Sequence, residues 1–445
     1  MSPIPFVIGK RSFERRRRHT STAAWRALAS VMILGAAACR RDGADVSGTG
    51  GNAGATGPGG VGGGGLDGAG GFAGVGGDSG NAGGAGEGGS AGVAAGGGGG
   101  SGGVAGTGNS VEAGVDAGAG GGGGSVAIAP GTALKDAAAK VGRLVGAAIG
   151  APHLSDAAFA ATAAADFNFV TPENEMKWDA TEPSQNTFTF AAGDAIVAFA
   201  QHNGMQVKGH TLVWHAQLPA WVSNLGDATA LHTAMINHIT QVASHFRGQV
   251  VAWDVVNEAV ADNGQALRNT VFNQYLGAGY IDDAFNAARA ADPGALLFYN
   301  DYGAEGGGAK SDYIYSMVKG MLARGVPING VGLQMHTGPA DSPSAAQVAG
   351  NMQRLAALGL NVVISEMDVQ LCTTGDLSTQ STRFHDIVAD CVAQPLCLAV
   401  TVWGVPDKYS WLNGVNCATP HPLLFDDNYV PKPAHMGVWN ALNGL

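Results

Sequence analysis

Charge is scarce along this chain: only 13% of its 445 residues are Asp, Glu, Lys or Arg, and aromatic residues make up 7%. The scarcity is uneven. Basic residues crowd into the amino-terminal end, so the rest is acidic, in keeping with a formal net charge of −11, and an acidic body binds nucleic acid poorly. The five cysteines, at 39, 372, 391, 397 and 417, lack metal-ligand spacing, so neither a metal nor another cofactor is expected. No glycine-rich first turn of the dinucleotide-binding kind is found, which argues against a doubly wound sheet. The apolar stretch Ala27 to Ala38 is too short to span a bilayer comfortably. From Asp42 to about Ser125 the chain lacks core-forming side chains, with Phe72 its single aromatic residue, so that stretch cannot build a hydrophobic core.

What is present falls into three parts. Residues 1–39 form a targeting segment, with the basic run Arg15 to Arg18, the apolar stretch, and small Ala36, Ala37 and Ala38 just before Cys39. That ending resembles a bacterial lipoprotein site and predicts a secreted or cell-surface protein, an outer-membrane lipoprotein tethered through lipidated Cys39. A plain signal peptide or an uncleaved anchor would export the chain as well. Residues 40–130 are a disordered linker rich in Gly and Ala, a leash with a root-mean-square reach of about 50 Å. Residues 131–445 are the folded part, the right size for a barrel of roughly 250 residues with long loops. With Cys39 set aside, four cysteines remain, which suits an oxidising compartment and leaves three pairings open.

Within the folded part, eight short β-like runs alternate with helical stretches: Leu144 to Ile149, Phe167 to Thr171, Gln206 to His210, Val250 to Val256, Ala295 to Asn300, Gly330 to His336, Asn361 to Ser365 and Leu398 to Trp403. Between them, segments such as Leu231 to Phe246 and Ser381 to Val392 carry apolar residues at helical spacing. Strand, helix, strand implies a parallel sheet, and eight repeats are what an α/β fold of the (β/α)8 TIM-barrel type needs. Polar and aromatic residues gather at the carboxyl ends of the runs, the face on which such barrels carry their active sites.

Two glutamates, Glu258 and Glu366, each end an apolar run. Alone, either could be a helix cap or a salt-bridged structural group. Together they match a chemistry that uses two carboxyls, in which one protonates the leaving oxygen of a glycosidic bond and the other acts from the opposite side of the sugar.

At this point the sequence resembles glycoside hydrolase family 10, from about Leu134 to Leu442. The resemblance rests on Glu173-Asn174-Glu175-Met176-Lys177-Trp178-Asp179, Gly209-His210-Thr211-Leu212-Val213-Trp214-His215, Trp253-Asp254-Val255-Val256-Asn257-Glu258-Ala259 and Tyr299-Asn300-Asp301-Tyr302. It continues through Gly332-Leu333-Gln334-Met335-His336, Ser365-Glu366-Met367-Asp368, Thr401-Val402-Trp403-Gly404, Asp407-Lys408-Tyr409-Ser410-Trp411 and Pro422-Leu423-Leu424-Phe425-Asp426. It implies a retaining endo-β-1,4-xylanase acting on xylan as a monomer, with Glu258 as acid/base and Glu366 as nucleophile. His336 and Asp368 are then the orienting partners of Glu366, and Asn257 contacts the 2-hydroxyl of the sugar being cleaved. Glu173, Asn174, Lys177, His210, Trp214 and Gln334 should line the glycone side, with Trp403 and Trp411 as aromatic wall and roof and Tyr302 as a platform for the leaving sugar. The resemblance also implies a cis peptide between His210 and Thr211, and a short disulfide loop between Cys391 and Cys397. Cys372 and Cys417 would then sit in loops after adjacent strands, close enough to pair.

The sequence departs from the family pattern at Gly303, often Asn, at Met335, usually smaller, and at Cys372 and Cys417, which are additions. Two other readings share these residues: a hydrolase of β-1,3-xylan or of mixed xylan and cellulose, and a non-catalytic carbohydrate-binding surface protein. Retention of both carboxyls argues against the second.

Overall fold

The computed structural model of the chain describes residues 131–338, 343–372, 376–415, 417 and 419–445. The expectations for the targeting segment with Cys39 and for the glycine-rich linker lie outside the described residues.

Eight parallel strands close on themselves. They are β1 (Leu144–Ile149), β2 (Phe169–Pro172), β3 (Gln206–Val213), β4 (Ala252–Asn257), β5 (Leu296–Asp301), β6 (Gly330–Leu333), β8 (Asn361–Val369) and β9 (Cys397–Val402), with the two-residue β7 (His336–Thr337) outside the ring. Each pairs with its neighbour, β6 with β8, and β9 returns to β1, so no edge is left open. The expected run from Gly330 to His336 is not one strand. Met335 adopts a left-handed backbone (φ 68°), its N–H donating to the buried Glu305 carboxylate at 3.1 Å, and the chain resumes as β7, which pairs only with β8. That detour sets His336 opposite Asp368.

Helices wrap the ring: α1 (Leu134–Lys140), α2 (Ala157–Asp166), α3 (Ala191–His202), α4 (Ala228–His245), α5 (Gly279–Ala291), α6 (Ala309–Ala323), α7 (Ala345–Ala356), α8 (Leu377–Ala393) and α9 (Pro433–Asn443). Their starts are written locally. Asp156, Asp227 and Asp376 accept backbone N–H groups at the starts of α2, α4 and α8, Ser344 and Gln347 form a capping box on α7, and α9 opens on Pro433.

Two apolar layers result. The larger lies between strands and helices, including Trp253, Leu297, Ile239 and Phe285. A smaller plug of Phe169, Ala252, Phe298, Val363, Leu398 and Ala399 fills the ring. Because side chains alternate along a strand, the residues two positions beyond Ala252, Phe298 and Val363 face the same way as those plug residues. On β4, β5 and β8 these are Asp254, Asn300 and Ser365, so the interior turns from apolar to polar toward the carboxyl ends. Two glycines permit this packing: a Cβ on Gly209 would lie 2.2 Å from the Trp253 ring, and one on Gly332 would lie 2.1 Å from Asn300 Oδ1.

Candidate active site

The strand ends that carry the predicted residues are irregular. Register shifts fall between His210 and Val213, between Asp254 and Val256, and between Ile364 and Met367. Such bulges re-aim side chains, and here they lie beside Glu258 and Glu366. Both carboxyls open onto one cavity of about 340 Å³ on the face formed by the strands' carboxyl ends.

Glu366 is buried and flanked by basic side chains. His336 stands between two carboxylates, its Nδ1 2.8 Å from Asp368 Oδ2 and its Nε2 3.2 Å from Glu366 Oε2. Burial alone would lower the imidazole pKa, but Asp368 and Glu366 raise it well above its usual value, so the ring is a cation that donates to both. Burial likewise works against an ionised Glu366, yet the charge of His210, the hydrogen bond and charge of His336, and Lys208 bring its pKa down to about 2. Lys208 and His210 are fixed from behind by the fully buried Asp254, at 2.5 and 2.9 Å. The other Glu366 oxygen, Oε1, accepts from Asn300 Nδ2 at 2.6 Å.

Glu258 is held by neutral donors instead. Trp214 Nε1 donates to its Oε2 at 2.8 Å, while Gln334 Nε2 and Asn257 Nδ2 approach its Oε1 at 3.0 and 3.3 Å. Asn257 Oδ1 also accepts from Asn300 Nδ2 at 2.9 Å. An amide chain, Asn257 to Asn300, thus runs from one carboxyl to the other. Glu258 lies just past the end of β4 in a left-handed conformation (φ 57°).

The remaining predicted residues surround the two carboxyls. On one flank, Lys177 Nζ donates to Asn174 Oδ1 at 2.9 Å and to Gln217 Oε1 at 2.6 Å. Burial, together with Glu175 and Glu366, lifts the Glu173 carboxyl to about 7 against the pull of Lys177. Trp403 is buried edge-on to His210, with ring centroids 5.2 Å apart. Trp411 is 43% exposed above the cavity, and its Nε1 donates to Asp368 Oδ2 at 3.0 Å. Tyr302 lines the opposite flank. All the residues predicted for catalysis or sugar binding except Asp368 line the cavity itself, and Asp368 touches it through His336 and Trp411.

Sequence reasoning passed over Gln217 and gave Asn300 no role. Asn300 sits at the end of a β-like run beside Asp301 and Tyr302, a position that could have marked it. Gln217 lies in the loop after β3 with φ 44°, and nothing in its local sequence signals it. The bond between His210 and Thr211 is cis. Cys391–Cys397 and Cys372–Cys417 are both disulfide-bonded, the latter closing the rim near Trp411.

One carboxyl kept ionised by cations and a second held by uncharged donors on the same cavity can divide nucleophilic and proton-transfer work between them. Comparison with known proteins gives the family. The profile of Glycosyl hydrolase family 10 matches residues 133–441. An endo-1,4-beta-xylanase of Agaricus bisporus is 41% identical over 299 residues, 66% of this chain and 89% of that protein. Endo-1,4-beta-xylanase B of Thermotoga neapolitana is 40% identical over 278 residues, 61% of this chain and 80% of that protein. The native xylanase 10B of Thermotoga maritima superposes with a TM-score of 0.68 at 39% identity, covering 70% of this chain and 98% of that one. Xylanase 10B of Thermotoga petrophila in complex with xylobiose gives a TM-score of 0.68 at 38% identity, over 70% of this chain and 97% of that one. With the match spanning the whole barrel and every motif around the two carboxyls, the chain belongs to glycosyl hydrolase family 10.

Proposed function

We propose that this chain is an endo-1,4-β-xylanase that cleaves internal bonds of xylan with retention of configuration through a covalent glycosyl-enzyme intermediate. Glu366 attacks the anomeric carbon. Glu258 gives its proton to the departing oxygen and then, as a base, takes a proton from the water that releases the sugar. The observation that carries this division is the contrast in partners: His336, with His210 and Lys208, holds Glu366 well below the usual carboxylate range, while the Glu258 carboxyl takes its hydrogen bonds, among the described residues, from neutral donors. His336 is the orienting group for Glu366, and Asp368 fixes the ring.

Asn257, beside Glu258, is placed to bond the 2-hydroxyl of the sugar under attack, a contact that tightens in the transition state. Glu173, Asn174, Lys177, His210, Trp214 and Gln334 bind the glycone with Gln217, while Trp403 and Trp411 cover its flat C–H faces. Tyr302 carries the leaving sugar. Two disulfides suit an exported protein, as a lipoprotein leader ending at Cys39 would make it. Release of reducing sugar from β-1,4-xylan, abolished in Glu366→Ala, tests the assignment. Preference for β-1,3-xylan or for cellulose would overturn the linkage.

A further inference from the structure

Behind Glu258, outside the cavity, lies a guanidinium with several bonds and no role so far. The chain after Glu258 doubles back through a bridge between Val260 and Leu267, and this brings Arg268 beneath the glutamate's own backbone. Arg268 Nε donates to the Glu258 carbonyl at 3.2 Å. Its Nη2 reaches the Val260 carbonyl at 3.4 Å, Asp262 Oδ1 at 2.7 Å and the Tyr302 hydroxyl oxygen at 3.0 Å. The Tyr302 hydroxyl in turn donates to Asp262 Oδ1 at 2.5 Å. One planar fork therefore touches both the backbone of the proton donor and the edge of the leaving-sugar platform.

A second path closes the ring. The Tyr299 hydroxyl accepts the N–H groups of Ala259 and Val260, at 3.0 and 3.2 Å, and donates to Asp301 Oδ2 at 2.5 Å. Asp301 Oδ1 pairs with Lys310 at 2.9 Å, and the Lys310 ammonium lies 3.7 Å from the centroid of the Tyr302 ring. From the Glu258 turn to Tyr302 the structure offers two routes, one of hydrogen bonds and one that ends in an ion pair and a cation–π contact. Such bracing has a physical reason: a left-handed backbone at a non-glycine residue persists only where its surroundings impose it. An acid must also meet its oxygen within hydrogen-bond reach.

Taking Glu258 as the proton donor, as proposed above, we infer that Arg268 is a positioning residue that ties Glu258 to Tyr302 and so sets the donor against the oxygen of the leaving sugar. The effect falls on the step that needs the proton. A sugar leaving group requires it, whereas a dinitrophenolate departs without it.

The test uses the whole chain with xylohexaose and with 2,4-dinitrophenyl xylobioside. Because a misplacement near 1 Å costs on the order of 100-fold, Arg268→Met should lower kcat on xylohexaose by about 10- to 100-fold. KM for xylohexaose and kcat/KM for the aryl xylobioside should each move less than about threefold, as expected when only a transition-state interaction with a poor leaving group is lost. Arg268→Lys keeps the charge without the fork and should share the deficit. Tyr302→Phe, which keeps Arg268 but removes the shared hydroxyl, should show a smaller loss of the same kind and serves if the Met variant does not fold. Equal losses on the two substrates, a loss confined to KM, or full activity in Arg268→Lys would overturn the inference. Glu258→Ala is run alongside. If it falls equally on both substrates, the donor assignment itself fails, a result distinct from failure of the Arg268 variants alone.

Discussion

The two sides of the cleft are built from different materials. On the β8 side, Glu366 sits within a strand among basic side chains, His336, His210 and Lys208, with Asp254 and Asp368 buried behind them. On the β4 side, Glu258 lies past the strand end on a loop; among the described residues its carboxyl is hydrogen-bonded by an indole and two amides, its carbonyl is held by Arg268, and the N–H groups of the next two residues are held by Tyr299. Basic partners hold a carboxyl ionised, and neutral donors orient one without that bias. Strand placement suits the group that must attack at a set distance. A braced loop suits the group that must follow a departing oxygen.

The sharpest way to break the contrast is to delete each carboxyl. Glu366→Ala should lower kcat by roughly 10⁴-fold or more on every substrate, because the group that forms the covalent bond is removed. Glu258→Ala should lose about 10²- to 10⁴-fold on xylan, the usual contribution of a general acid, while kcat/KM for 2,4-dinitrophenyl xylobioside stays near that of the intact enzyme. Steady-state kinetics on both substrates checks the pair, and equal patterns of loss would erase the distinction.

His336→Gln should transfer some character of the β4 side to the β8 side. The imidazolium helps bring Glu366 down to about 2, so its loss raises that pKa and moves the acid limb of the activity profile to higher pH. kcat at neutral pH should fall about 10- to 100-fold through misorientation of the nucleophile. Stability follows the same sign. A depressed carboxyl stabilises the fold fully above its unfolded value and loses that contribution as pH falls toward about 2, so the variant should lose acid resistance from a higher pH. pH–rate curves and acid-unfolding curves measure this; an unmoved acid limb would show that His336 is only packing.

Replacing Cys372 and Cys417 by Ser acts mainly on stability. Their bond closes a separation of 45 residues, for which chain entropy gives an upper figure of about 4 kcal/mol. Turnover should change little, with a modest rise in KM as the Trp411 roof loosens. Thermal melting and KM for xylohexaose report the two effects. The smallest change is expected from a chain beginning at Gly131, which should keep its turnover on soluble xylan; a clear loss there would give the glycine-rich stretch a catalytic role.

The legible part of this protein follows the same division. The eight strands show in the sequence because each is a short apolar run between helical stretches, and Glu258 and Glu366 show because each ends one. The break at Met335 was hidden, since Gly330 to His336 reads as one run until the backbone turns left-handed to meet Glu305. Gln217 and Arg268 were hidden for another reason. Both act from loops, through contacts that exist only once the chain has doubled back, and neither lies at a strand end.

The central claim is that Glu366 forms a covalent bond to the sugar while Glu258 moves the proton. Incubation with 2,4-dinitrophenyl 2-deoxy-2-fluoro-β-xylobioside, whose fluorine slows release of the intermediate, followed by mass spectrometry of the digested protein, tests it directly. The account predicts one added fluoroxylobiosyl group on the peptide holding Glu366, and none in Glu366→Ala. A label on another residue, or turnover without any label and with the inverted anomer as the first product, would contradict it.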